Sequence, residues 1–344
     1  MRGVVLTGEG GLFVKDFPDP EPGPGQVVVR MKASAICGSD IHNYHAKKER
    51  IQGRGEIIQG HEPSGIVESV GHGVTNVEPG DRVSVYHYLG CGHCQECAAG
   101  NLMWCREARG LGSGAHGGHA DLLLVHERNA LKLPDELTFI DGAAIACVAG
   151  TTYSALLKIA PSGRDTLAVF GLGPVGLTGV MFGKAMGARV IGIGRRKDRL
   201  RIARQLGAEQ IIDIDEVTEP GKALQELTGG QGADAAYETS GSPHAYAAMF
   251  QGLRRGGRAV VVAGAKFDAT KPFTPGAIVG KQLTIMGSFV MPLGTYGELT
   301  KFMLRHDLHF EPTVTHRFDL EDAAKAFALF DSGECGKVIF EWPD

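Results

Sequence analysis

The chemistry-bearing residues of this chain fall into three groups. The densest is Cys91-x2-Cys94-x2-Cys97-x7-Cys105, four soft thiolates on one short loop. Four such ligands close a tetrahedral shell around zinc, and a closed shell leaves no open position for a reactant. The site is therefore expected to shape its loop and do no chemistry; an iron–sulfur cluster or disulfides are the competing readings. A second group is dispersed: Cys37 in Cys37-Gly38-Ser39-Asp40-Ile41-His42, the pair His61-Glu62, and Cys147. Taken singly, each has a plain structural explanation. A cysteine after an apolar strand packs in a core, and a lone histidine is usually a satisfied polar group.

The third group is a glycine loop. The apolar run Thr166–Phe170 leads into Gly171-Leu172-Gly173-Pro174-Val175-Gly176 and then into a helical pattern. In that context the first glycine allows a tight turn and the second lets backbone approach a pyrophosphate. The third lets helix and strand pack closely. An acidic residue at the tip of the next strand would bind the ribose 2′-hydroxyl of NAD. This chain instead reads Gly194-Arg195-Arg196 there. Glycine leaves room and two guanidinium groups supply bidentate donors for a 2′-phosphate, so NADP is the expected cofactor, with NAD as the alternative.

Two regions must position these groups. Up to about residue 140 the chain reads as short strands, among them 27–35, 64–70, 82–86 and 122–125, punctuated by Gly and Pro. Beyond a long Ala-rich helix at 141–159, apolar strands alternate with helices as far as about 262, the pattern of a parallel sheet covered on both faces. The tail, with a helix at 292–305 and strands near 314–318 and 337–341, has no place fixed by pattern alone. A length of 344 residues suggests about two domains. The net charge of −4, with no basic run, argues against nucleic-acid or membrane partners. No apolar stretch is long enough to read as a spanning helix, and the first residues lack the pattern of a signal peptide. A cytoplasmic location is expected, where clustered cysteines bind metal more often than they pair.

In combination, CGSDxH, GHE, the four-cysteine lobe, the later Cys147 and the glycine fingerprint resemble, in order and spacing, the zinc-containing medium-chain alcohol dehydrogenases. The resemblance spans essentially the whole chain. It implies an α/β protein: a GroES-like β-rich catalytic domain (1–145 and 287–344, with the structural lobe at about 88–108) carrying an inserted doubly wound Rossmann domain (146–286). It also implies two zinc ions per chain. Cys37, His61 and Cys147 would hold the catalytic one, with Glu62 beside it and Asp40 orienting the histidine. Ser39 and His42 match the family's proton relay, Thr152 a threonine beside the nicotinamide, and Lys337 a basic residue on the pyrophosphate. The spacing places His87 by the substrate, which suits a polar substrate, whereas Cys147 stands where polyol dehydrogenases usually carry glutamate. The implied activity is hydride transfer between a primary or secondary alcohol and NADP or NAD. A polyol, sugar-alcohol or threonine-type substrate is one alternative, and a non-catalytic zinc protein that kept the fold is another. A small-molecule substrate and a homodimer or homotetramer complete the expectation.

Overall fold

Alternating apolar residues in Gln26–Ala35 send Val27, Val29 and Met31 into one core, where they meet Val67, Val83, Val85, Leu123 and Val125. In the computed structural model, which describes residues 1–264 and 276–343, this strand is the hub of a seven-stranded sheet. It pairs antiparallel with Pro63–Val70, with Leu122–His126 and, at its far end, with Lys337–Glu341. Bulges between Val28 and Val29 and between Met31 and Ala33 shift the register so that Ser34 lies opposite Pro63. That pairing puts Cys37, just beyond one strand, beside His61 and Glu62, just before the other. Ile36 donates to the carbonyl of Val338, which brings Lys337 to the same end.

The tail thus completes the first unit, which comprises Met1–Gly150 and Pro292–Asp344. Its helix Ala323–Ser332 buries Phe327 and Phe330 against Val4, Leu6, Ile36, Val338 and Phe340. The remaining stretch, Thr151–Met291, forms the second unit. Its six parallel strands lie in the order Gln210–Asp213, Arg189–Gly194, Thr166–Phe170, Ala233–Glu238, Leu253–Val261, Thr284–Gly287. This is the doubly wound order, in which ligands bind beyond the carboxyl ends of the strands. The strand Leu253–Val261 begins well before the apolar run at 259: Leu253 pairs with Ala233, and after an irregularity that spans the exposed Arg255 and Gly256 the ladder resumes at Arg258 opposite Ala235.

The boundaries fall at Gly150 and Met291 rather than at the expected 145 and 286. The first shift matters, because it leaves Cys147 in the first unit. No sequence break marks it, since α-helical and π-helical segments follow one another directly from Phe139 to Ile159. The single long helix expected there is in fact interrupted by a π-helical turn, Ile145–Ala149, between α-helical segments Phe139–Ala144 and Gly150–Ile159. Contrary to the sequence expectation, this helix is long and apolar enough by length and composition to cross a membrane. It is 83% buried inside the protein, as a core helix is.

The start of that helix is tied to the returning tail through Asp141. Its fully buried carboxylate accepts from Thr138 N and Oγ1, from Phe310 N at 2.7 Å and from His309 Nδ1 at 2.8 Å. The hydrogen bond that His309 donates to Asp141 raises the pKa of His309 above the ordinary imidazole value. The protonated form is then favoured by folding, so this contribution is complete below about pH 6.5 and fades as pH rises through the folded-state pKa. His309→Gln is therefore expected to lower Tm more at pH 5.5 than at pH 9. An equal loss at both pH values, read by thermal unfolding, contradicts the pairing.

Candidate active site

The strand ends converge on a set of donors: Cys37, His61, Glu62 and Cys147 each present one ligand atom, all within 4.8 Å of one another. Cys37 caps the short helix Gly38–Tyr44. Asp40, buried in its first turn, accepts from Cys37 N at 2.8 Å and from His61 Nδ1 at 2.9 Å. One carboxylate therefore fixes both the cysteine loop and the ring, and leaves His61 Nε2 as the ligand atom. Ser39 Oγ lies 3.2 Å from that nitrogen. Gly60, just before His61, has φ +93°, and a Cβ there would stand 2.5 Å from His119 Nδ1. Only glycine fits, so the backbone leading into His61 is fixed by close packing. Cys147 sits within the π turn, where the wider helical turn re-aims a side chain that an unbroken α-helix would place elsewhere.

The electrostatics favour a cation among these groups. The Cys147 thiol beside it lowers the pKa of Cys37 well below the ordinary thiol value, while Cys37 in turn raises that of Cys147. One of two adjacent buried thiols ionises at the expense of the other unless a cation accepts both. Glu62 is fully buried and neither of its oxygens accepts a well-directed hydrogen bond. Two sulfurs, an imidazole nitrogen and a carboxylate suit zinc, and three of them leave a fourth position for a reactant.

Lys337, which the family resemblance sets on the cofactor's pyrophosphate, is buried in the first unit and ion-paired with Glu62. Burial raises the Glu62 pKa, and Lys337 opposes that rise. His87 is also buried. Its ring centroid lies 5.5 Å from that of His61, and its Nδ1 donates to the carbonyl of Ala146. Burial pushes its pKa down to about 4, so it is a neutral ring with Nε2 as acceptor. His42 is exposed, one turn along the helix from Ser39.

The four-cysteine lobe has the geometry of a closed site. All seven cysteines are free thiols, which removes the disulfide reading. The four lobe ligand atoms lie within 4.8 Å of one another, and Cys91 and Cys97 Sγ are 3.9 Å apart. Zinc–sulfur bonds of about 2.3 Å at tetrahedral angles require a sulfur separation of about 3.8 Å. Backbone amides of Cys91 and Glu107 donate to Cys105, and that of Cys97 to Cys94, the pattern that stabilises thiolates. The pKa of Cys91 is drawn down to about 6 by the backbone at His93, while burial lifts that of Cys97 to about 12.

In the second unit the glycine loop is tight. Gly171 has φ +89°, and a Cβ on Gly176 would fall 1.7 Å from the Gly171 carbonyl oxygen. Pro174 and Val175 open the helix Pro174–Ala185, whose N-terminus faces the loop as a phosphate site requires. Thr152 is fully buried; its hydroxyl donates to the Val175 carbonyl and accepts from Tyr237. Beyond the loop opens a cavity of about 780 Å³ lined by Gly171, Gly173, Gly194 and Arg195. Arg196, with φ +75°, is not part of its lining, whereas Arg199 is, a residue the sequence reading passed over.

The buried pair gives a direct test. Lys337→Met strands Glu62 in the interior and is expected to cost about 3 kcal/mol in chemical denaturation. Adding Glu62→Gln is expected to recover most of that loss. Wild-type stability of the single variant contradicts the pairing.

Comparison with known proteins agrees with this architecture. Residues 23–135 match the alcohol dehydrogenase GroES-like domain, and residues 174–305 match the zinc-binding dehydrogenase family. The uncharacterized zinc-type alcohol dehydrogenase-like protein YphC of Escherichia coli (strain K12) is 36% identical over 362 residues, covering 100% of this chain and 99% of that protein. The L-threonine 3-dehydrogenase of Bacillus subtilis (strain 168) is 34% identical, covering 96% of this chain and 94% of the relative. A solved NAD-dependent alcohol dehydrogenase superposes with a TM-score of 0.87 at 30% identity, over 100% of both chains. On sequence, fold and architecture alike, the chain belongs to the zinc-containing medium-chain alcohol dehydrogenase family.

Proposed function

We propose that this protein is a zinc-dependent alcohol dehydrogenase, or carbonyl reductase in reverse, that prefers NADP(H). The observation that carries this reading is the donor set Cys37, His61 and Cys147, with the ring of His61 oriented by Asp40, three ligands where the lobe has four. When bound, zinc supplies Lewis acidity that lowers the pKa of an alcohol, and nicotinamide supplies the hydride acceptor. The chain's own residues do the rest. Asp40 holds His61 in the tautomer that offers Nε2, and Ser39 Oγ, beside that nitrogen, takes the hydroxyl proton of the substrate. His42, three residues on along the same helix face, passes it to solvent, a role suited to imidazole near neutral pH. Lys337 keeps Glu62 in a neutral pair beside the donors.

A second reading, a polar substrate of the threonine or polyol type, is favoured by His87. Its buried neutral ring beside His61 offers an acceptor that a plain alkyl chain would leave unsatisfied. The L-threonine 3-dehydrogenase named among the relatives supports this reading.

Reduction of NADP and NAD should be followed with secondary alcohols, polyols and L-threonine. Charge-assisted contacts to a 2′-phosphate are expected to favour NADP by at least about tenfold in kcat/KM. A clear NAD preference overturns the cofactor assignment. Cys37→Ser is expected to abolish turnover with the fold retained by circular dichroism, and a fully active variant overturns the site. His87→Ala is expected to lower kcat/KM for a polar substrate by about tenfold and to spare a simple secondary alcohol. Equal effects on both contradict the second reading.

A further inference from the structure

A fully buried carboxylate in the second unit, that of Glu238, has no part in the chemistry described so far. Glu238 ends the strand Ala233–Glu238 and lies in the ladder opposite Phe170, the last residue before the glycine loop. The chain lays its strands outward from Thr166–Phe170 on one side, then returns to place Ala233–Glu238 on the other. The strand order therefore reverses between these two strands, and a doubly wound sheet binds its ligand in the crevice at that point.

A carboxylate taken out of water must find donors. That of Glu238 finds them in the turn that follows it. It accepts from Ser240 N at 2.9 Å, from the Ser240 hydroxyl, and from Gly241 N at 3.1 Å. Thr239, inside the same turn, reaches the other way. Its hydroxyl bridges the carbonyls of Phe170, at 3.0 Å, and Gly171, at 2.8 Å, and its amide donates to Phe170 as well. Packing is tight on this side of the glycine loop. A Cβ on Gly171 would stand 2.8 Å from Ser240 Cβ, and one on Gly176 would stand 2.9 Å from Thr239 Oγ1. Thr239, Ser240 and Ser242 line the cavity beyond the loop, whereas Glu238 does not.

We propose that Glu238 is a positioning residue for dinucleotide binding. Its carboxylate fixes the turn Thr239–Gly241, and Thr239 in turn holds the Phe170 and Gly171 carbonyls, which sets the shape of the loop that a pyrophosphate approaches. The inference rests on the reading that the chain binds a nicotinamide dinucleotide, and deepens it. Because it concerns the pyrophosphate, it applies to NAD and NADP alike.

The test is calorimetric titration of the intact, zinc-loaded protein with NADPH and with NADH. Glu238→Gln keeps the shape but turns one acceptor into an NH2 donor against the amides of the turn. It is expected to weaken both dinucleotides by about tenfold, the worth of one charge-assisted hydrogen bond, and to leave their ratio unchanged. At saturating cofactor, kcat is expected to stay within about twofold of wild type. Thr239→Val, which removes only the hydroxyl, is expected to act in the same direction. The two residues form one chain of contacts, so the double variant is expected to bind no more than about threefold more weakly than the worse single one. Glu238→Asp, which keeps the charge and shortens the reach, carries the same cycle if Glu238→Gln does not fold. If wild type binds neither dinucleotide, the cofactor reading itself fails. If wild type binds them and Glu238→Gln matches it in affinity, whatever its Tm, Glu238 serves the fold alone and the proposal is overturned. Losses that multiply in the double variant also overturn it, because Glu238 then does not act through Thr239.

Discussion

The carboxylate of Asp40 is the interaction on which the site depends. It holds the backbone amide of Cys37 with one oxygen and the ring of His61 with the other, so that two donors from different strands share one fixed frame. The sheet exists in a form that allows this. Bulges in Gln26–Ala35 and the pairing of Ser34 with Pro63 bring the two strand ends together, and the returning strand Lys337–Glu341 pairs along the other edge at the same end. The frame then sets a charge problem: two thiols, an imidazole, a carboxyl and an ammonium lie in the interior together. Such a group is stable only when its charges are paired, which Lys337 does for Glu62 and a divalent cation would do for the thiols.

The two cysteine-bearing sites answer that problem differently. The lobe surrounds its centre with four sulfurs and quiets them with backbone amides, a complete shell with no room for a reactant. The interior site has two sulfurs and one nitrogen, with Glu62 close enough to be a fourth donor but held by Lys337. Reactivity follows from what is withheld: a fourth protein ligand would turn the open site into another lobe.

Much of this was legible in the sequence, for physical reasons that can be named. The cysteine spacing encodes a loop closed on itself, and the strand-glycine-helix run encodes the pyrophosphate turn, because both are local. The donors Cys37, His61 and Cys147 are not local, and their types gained meaning only from the resemblance of the whole pattern to a family. Three features escaped. The π turn at Ile145–Ala149 has no composition that separates it from an Ala-rich α-helix, although it decides where Cys147 points. The ion pair of Lys337 with Glu62 depends on a strand pairing made across nearly the full chain, so no local pattern announces it. Arg199 was overlooked because a helix turn carries it to the cavity, which Arg196, next to the strand tip, does not line.

The central claim, that an open metal centre exists apart from the lobe, is tested most directly by counting zinc per chain in the purified protein and in Cys37→Ser and His61→Ala variants. Two zinc ions in wild type and one in each variant, with the remaining ion lost only when Cys94 is also replaced, is the expected result. A single zinc in wild type, unchanged by replacing Cys37 or His61, would contradict it.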